Sequence, residues 1–489
     1  MTHTPKGNAA PPGQSGTPTP TPTMPAVPPQ SGPPAPQGPQ GTPPAPDTTP
    51  ARRTAWSEGV DQLRAAATTE PGRLRIIGAV LALLVVAFGA VTAWQMTERS
   101  TAADDVLHSS QPLSAGAADI YRSLADANTA ASSGFLAGGQ ETAASRDRYE
   151  GNIRAAAQGL ITAAANSDPG SPSADTIAKL NKLLPEYKGL IERARANNRQ
   201  GYPLGGAYLR YANDKMQKEM LPAAEDLYKR ENQRLSADYA DAKPYPWVAI
   251  ALGVLALGGL AWAQRRHYRR TNRVLNQGLV AATAAATVVL LWLVVGHSVA
   301  RAGLNASYEH GVRSLNVLHD ARIASVKARG NENLTLVNRG AETKKVSETE
   351  VMDLYDYDYQ QDMKTLAKGL ALAADLADDK AGEQAVTAAT GDMKVWKARH
   401  LEAREADDDG DYQGALDKVI GAKGATGECF DGVDTNLAAA LRHEESEFKQ
   451  AATAGLDAMT GLSVGAAVLA VLAGAGALLG IGRRLSEYR

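Results

Sequence analysis

Asn197, Asn198, Arg199 and Gln200 stand directly before Gly201, Tyr202 and Pro203. Four polar side chains at a chain reversal offer recognition, not bond-making. Arg199 can grip a carboxylate with two parallel hydrogen bonds, and Tyr202 supplies rigid contact area. Arg195 adds a second guanidinium one turn earlier. Arg195, Asn197, Asn198, Arg199, Gln200 and Tyr202 are therefore candidates for contacting a partner, against the plainer reading of a capped turn.

Other chemistry-bearing residues lead nowhere catalytic. His400 has no second metal ligand three or four residues away, so it reads as a core histidine satisfied by a neighbour. Glu405, Asp407, Asp409 and Gly410 begin like a calcium loop, but Leu416 stands where the closing Glu belongs, so the run reads as a solvated helix turn. Cys429 is the single cysteine and reads as a small buried hydrophobe. There is no phosphate loop, nucleophile elbow, zinc motif or kinase set. The expectation is a protein that is not an enzyme and has no cofactor and no metal. A net charge of −2 offers no basic face for nucleic acid.

The elements that position these residues begin with four apolar stretches, Ile76 to Met96, Trp247 to Ala263, Leu279 to Val299 and Leu456 to Ile481. Three of them reach the roughly 20 residues that cross a bilayer, and the second falls a little short. Tyr245, Trp247 and Trp262 bracket the short second one as interfacial anchors. Arginines set the orientation. Arg52, Arg53, Arg64, Arg73 and Arg75 precede the first stretch. Arg265, Arg266, Arg269, Arg270 and Arg273 separate the second from the third, and Arg483, Arg484 and Arg489 follow the fourth. Arginine-rich short flanks stay in the cytoplasm, which puts both termini inside and both long segments outside. No ionisable relay crosses the spans, which argues against a pump. Gly461, Gly465, Gly476 and Gly480 sit four apart on the last span, as close helix packing or as plain small-residue filler.

The expected order is a disordered proline-rich cytosolic tail (1–74), a span (75–97), a helical bundle outside (98–245), a span (246–264), an arginine-rich cytosolic loop (265–275), a span (276–299), a second bundle outside (300–456), a span (457–482) and a short cytosolic tail (483–489). The first fifty residues hold 17 of the 26 prolines and cannot bury enough apolar surface to fold. They are either a solvated tether or a docking or phosphorylation arm around Thr17 to Thr23.

Span, bundle and span occur twice. Tyr149, Ala157, Gly159 and Leu160 match Tyr359, Ala367, Gly369 and Leu370 at an offset of 210. Ala194, Arg195, Gly201 and Gly205 match Ala403, Arg404, Gly410 and Gly414 at 209. Asp126 and Ala127 match Asp320 and Ala321 at 194, which places an insertion in the second copy between its first helix and the middle of its second. Each copy reads as four helices. Ile177, Leu180, Leu184, Tyr187, Ile191, Ala194 and Asn198 step by three and four along one inward seam; Val386, Ala389, Met393, Trp396, His400, Ala403 and Asp407 repeat it. The fold class is thus an all-α membrane protein with four transmembrane helices and two tandem extracytoplasmic four-helix bundles. Residues 98–245 carry 18 basic and 19 acidic side chains, but 300–457 carry 19 and 29. Either the two copies contact different things, or both surfaces merely solubilise.

The run Glu192-Arg-Ala-Arg-Ala-Asn-Asn-Arg-Gln-Gly201-Tyr-Pro-Leu-Gly-Gly-Ala-Tyr-Leu209, followed by Met220-Leu-Pro-Ala-Ala224, resembles the actinobacterial GlnX-type transmembrane sensors over roughly residues 75–489. The second copy departs from it, with Asp407 to Asp409, Gly410 and Asp411 at the turn. The resemblance implies an amino-acid-binding lipoprotein (GlnH-type) outside and a soluble Ser/Thr kinase (PknG) inside as partners, besides the lipid bilayer of the plasma membrane. It implies a sensor or adaptor that relays extracellular amino-acid status to that kinase. The alternatives are a chemoreceptor-like bundle that binds a small ligand directly, and a structural scaffold of the envelope.

The arginine pattern makes a topological prediction. Cysteine placed at Ser171 should react with an impermeant thiol reagent on intact cells, and cysteine placed at Asn272 should not. The opposite labelling pattern would invert the topology.

Overall fold

The computed structural model describes residues 69–138, 141–271, 276–347, 350–421 and 423–485. The proline-rich arm with Thr17 to Thr23, Arg52, Arg53, Arg64, Arg273 and Arg489 lie outside the described residues. The rest is almost wholly helical, with four helices long and apolar enough to cross a membrane.

Helix α1 (Glu70–Asp105) opens with Thr69 accepting from the amide of Gly72, and Pro71 sits where a helix tolerates it. It does not stop at the end of the apolar run. A single π-helical turn, Val106–Ser110, carries it into α2 (Gln111–Leu136), so Gly72–Leu136 is one unbroken rod. Helices α3 (Ala143–Asn166) and α4 (Pro172–Arg199) follow, capped by Thr142 and Ser171. Helix α5 (Leu204–Lys215) passes through a second π turn, Met216–Met220, into α6 (Leu221–Ala242). After a break at Lys243 to Pro246 the apolar α7 (Trp247–Thr271) begins.

The second half follows the same order. Apolar α8 (Gln277–Ala306) continues through the π turn Ser307–Val312 into α9 (Arg313–Asn338), a second unbroken rod. A hairpin of β1 (Thr343–Lys345) and β2 (Val351–Asp353) comes next, paired antiparallel with Lys344 opposite Met352. Then come α10 (Leu354–Leu376), α11 (Lys380–Asp408), α12 (Tyr412–Ile420), α13 (Thr426–Asp457) and apolar α14 (Leu462–Leu485).

Three sequence readings are corrected here. Leu136 and Asn338, which end α2 and α9, lie 202 positions apart, so the Asp126–Asp320 match at 194 does not hold. The packing agrees: Gly159 faces the Ile120 side chain, while Gly369 faces Ala321. The extra residues of the second half sit in the hairpin, before α10 begins. The last apolar helix starts at Leu462, not Leu456. Gly461, at φ 76°, takes a left-handed conformation that ends the preceding turn, so it is a helix break and not a packing residue.

The seams fold inward as their spacing requires. Ile177, Leu180, Leu184, Tyr187, Ile191 and Ala194 are buried, and so are Val386, Ala389, Met393, Trp396, His400 and Ala403. Asn198 and Asp407, the last residue of each seam, are half-buried. One hydrophobic core runs through both halves. Its shared wall is α2 against α9, where Asn333 donates to Ser133 Oγ (2.8 Å) and to the carbonyl of Thr129 (3.3 Å). Arg148 joins Asp126 of its own half to Asp431 of the other.

Among the apolar helices, α14 lies against both α1 and α8. A Cβ on Gly278 would come within 2.3 Å of the Gly476 carbonyl and 2.6 Å of Gly480 Cα, so these backbones touch. Gly465 is equally tight against the Trp292 ring. Leu83, Leu255, Leu291 and Leu479 face outward and are 59–72% exposed, as a lipid-facing surface requires.

Gly278→Val should lower the melting temperature of the detergent-solubilised protein, because the Gly476 and Gly480 backbone atoms cannot move aside. Overpacking of this kind destabilises by about 1–3 kcal/mol. Gly482→Ala, whose Cβ meets nothing within 4 Å, should leave it unchanged. Equal melting of the two variants would refute the close α8–α14 crossing.

Candidate functional site

The turn after α4 is built by its own backbone. Gln200 and Tyr202 donate to the Asn197 carbonyl, at 3.1 and 2.9 Å, and Gly201 donates to that of Asn198 at 3.0 Å. Gly201 stands at φ 74°, where a Cβ would be strained. The six candidates then divide. Asn197 donates its amide to the Arg193 carbonyl (2.8 Å), and Asn198 donates to that of Phe135 (3.0 Å), tying the turn to α2.

Arg195 is corrected: it is no surface contact. It is 7% exposed, donates to Glu141 (2.9 Å) and Glu192 (3.1 Å), and lies over the Tyr149 ring at 4.2 Å. A guanidinium this enclosed and paired holds α4 to α3. Arg199, Gln200 and Tyr202 do face solvent. They adjoin residues the sequence reading missed. Leu204, Tyr208 and Tyr211 follow at i, i+4 and i+7 on α5, with Leu204 54% and Tyr211 59% exposed. The i, i+4, i+7 spacing that reveals this stripe is legible in the sequence.

The matching turn of the second half is more self-contained. Arg404 donates to Asp407 (2.6 Å) and Asp408 (2.9 Å), and Asp411 caps α12 by accepting from Gly414. Leu416 is buried, which agrees with the failed calcium loop. Cys429 is buried as well.

Beneath that turn lies a buried polar cluster. His400 is 3% exposed and faces two carboxylates, with Nδ1 2.9 Å from Glu332 and Nε2 3.0 Å from Asp356. Each ring nitrogen must carry a proton to donate both ways, so the ring is an imidazolium. Burial pulls its pKa down, but the hydrogen bonds to the two carboxylates outweigh that and hold it above the usual histidine value. Burial likewise pushes Glu332 up, and the Arg329 charge with the His400 hydrogen bond reverses it to a value below the usual carboxylate range. Glu332 also accepts from Trp396 Nε1 (3.2 Å) and Thr426 (2.9 Å). Arg329 continues to Thr426 (2.9 Å) and the Val419 carbonyl (3.0 Å). The first half holds an uncharged counterpart, in which Tyr187 donates to Asn128 (3.2 Å) and Asn128 to Asn213 (2.8 Å).

One edge of the charged cluster is open. A groove of about 580 Å³ between α10 and α11 is lined by Met352, Met363, Met393, Lys397, His400 and Arg404, among others. Tyr359 also lines it and stacks on His400 at 3.7 Å between ring centres. The sequence reading found His400 and Trp396 on a seam. It could not find Glu332, which comes from another helix 68 positions away.

Residues 102–240 match the family described as an actinobacterial sensor domain. The match spans the first half, from the end of α1 to α6. It supports a sensing role for a chain of actinobacterial kind. No curated protein matches the chain, and no solved structure does.

The His400 cluster has a pH signature. A histidine with a raised folded pKa stabilises fully below its unfolded value, about 6.5, and loses that contribution as pH rises through the folded value. Glu332 and Asp356, both held low, stabilise above the carboxylate range and lose it as pH falls. His400→Gln should therefore destabilise by roughly 3 kcal/mol near pH 6, with the deficit shrinking in alkali. Denaturant titrations at pH 6 and pH 9 check it. A deficit that grows with pH would overturn the assignment of an imidazolium.

Proposed function

We propose that the chain is a non-enzymatic, multi-pass sensor of the plasma membrane, with both termini in the cytosol and two copies of one four-helix unit outside. The observation that carries the reading is the pair of unbroken rods, Gly72–Leu136 and Gln277–Asn338. Each joins a membrane-length apolar segment to the far turns through continuous helix, with one π turn on the way. Helices continuous from bundle to bilayer carry small axial or rotational shifts across a membrane. The match of residues 102–240 to a sensor domain supports the same reading. The arginine pattern supports the orientation.

What reaches the sensor is proposed from the exposed turn and the resemblance. Arg199 and Tyr202, with the stripe Leu204, Tyr208 and Tyr211, form a rigid aromatic surface beside an unburied guanidinium. Such surfaces are enriched in protein contact sites. An amino-acid-binding lipoprotein tethered outside is the proposed partner, and a cytosolic Ser/Thr kinase the proposed recipient. A second reading, direct capture of a small ligand, is favoured by the groove beside His400.

Replacing Arg199 and Tyr202 with Ala in the full-length protein should weaken binding to the lipoprotein by roughly 2 kcal/mol or more, with melting unchanged. Wild-type affinity in that variant would remove the turn from the contact surface. Saturable binding of free amino acid to the purified chain, without any lipoprotein, would favour the groove.

A further inference from the structure

At the end of the second half nearest the apolar helices, two elements bring unlike donors to one point. His443 and Glu447 lie four apart on α13 and so share a face. Asp379 comes from the turn between α10 and α11, where it caps α11 by accepting from Ala381 and Gly382. His443 Nε2 lies 3.0 Å from Asp379 Oδ1 and 3.6 Å from Glu447 Oε1. The three donor atoms all fall within 4.8 Å of one another. The side chains are 29–42% exposed, so an ion can reach them from solvent.

A single ring nitrogen converges here on carboxylates from two different elements. One N–H can point at only one of them. A cation in place of that proton would satisfy both. Ligands held about 2.0–2.2 Å from a common metal lie roughly 3–3.6 Å apart, and the two separations from His443 Nε2 fit that spacing. The charge balance points the same way. Asp378 is the adjoining residue, so carboxylates outnumber the local imidazoles, even counting His310, whose Nδ1 is 3.3 Å from Asp378. Of all described His, Cys, Asp and Glu groups, these three alone converge so closely.

We propose that Asp379, His443 and Glu447 bind a divalent transition-metal ion, Zn²⁺ in the first instance, with water completing its coordination. An imidazole with two carboxylates suits zinc or manganese; calcium and magnesium prefer oxygen alone. The ion would staple the α10–α11 turn to α13, which leads towards the last apolar helix. His310, on the π turn beneath α9, stands next to that turn through Asp378. The site was hidden in the sequence because Asp379 and His443 are 64 positions apart. It does not depend on the proposed sensing role.

The test uses the untagged, detergent-solubilised full chain, stripped with chelator and titrated with Zn²⁺ by calorimetry and by thermal shift. One saturable site is expected, with a rise in melting temperature, and no response to Ca²⁺ at the same concentration. His443→Gln and Glu447→Gln should each weaken Zn²⁺ binding at least tenfold while melting like wild type when metal-free. His108→Gln removes another exposed histidine–aspartate pair and should bind as wild type does. Absence of saturable binding in the wild type would overturn the proposal. So would wild-type affinity in Glu447→Gln, the variant that leaves the imidazole in place and so separates loss of a ligand from loss of the fold.

Discussion

The structure depends on two helices that do not end where their apolar sequence ends. In hydrocarbon a backbone must bond to itself, which makes each span a helix. Nothing in that constraint stops the helix at the interface. Gly72–Leu136 and Gln277–Asn338 continue to the far turns, and α2 and α9 then pack on each other. Because α2 is covered by α3, α6 and α9, most of its circumference is buried. That explains its composition. Ser123, Asn128, Thr129 and Ser132 are buried among alanines, since bulky residues on every side would force the neighbours apart. Its polar groups then become the points that fix register, as Asn333 does against Ser133 and Thr129.

The two halves solve the same packing problem with different chemistry. At the level of the His400 cluster the first places neutral amides and a phenol. The second uses Arg329, Glu332, His400 and Asp356. A buried charge cluster of this kind adds little net stability over an apolar core, but it strongly penalises arrangements that separate its members. Its members come from α9, α10 and α11, so it fixes how the second half packs beside the groove. The acidic excess of the second half is thus only partly a surface property.

Much of the architecture was legible before the structure. Apolar length found the four helices long and apolar enough to cross a membrane, and three-and-four spacing found both inward seams. The errors have specific physical causes. Gly461 sat in small-residue register with Gly465, but its positive φ makes it a break. Gly476 and Gly480, read from the same pattern, do meet Gly278, because a left-over small residue on the facing helix lets the backbones close. Arg195 carried the right charge for a contact surface, yet Glu141 lies 54 positions away, so sequence could not show that it was already paired. Spacing within one helix reads a face; it is blind to what another helix brings to that face.

Both rods carry a π turn at the same stage of their path, Val106–Ser110 and Ser307–Val312. A π turn accommodates one residue more than an α turn and leaves the local ladder short of a bond, so it is held in place only by its packing. The second is so held: Tyr239 shares a hydrogen bond with Ser307 at 2.8 Å, and Gly311 lies against Phe448. Absorbing the extra residue into regular α-helix would rotate one side of the rod against the other by about 100°. These two turns stand between the apolar segments and the packed core. The contacts from α6 and α13 that hold the second turn tie it to helices entering from the other half and from the last span.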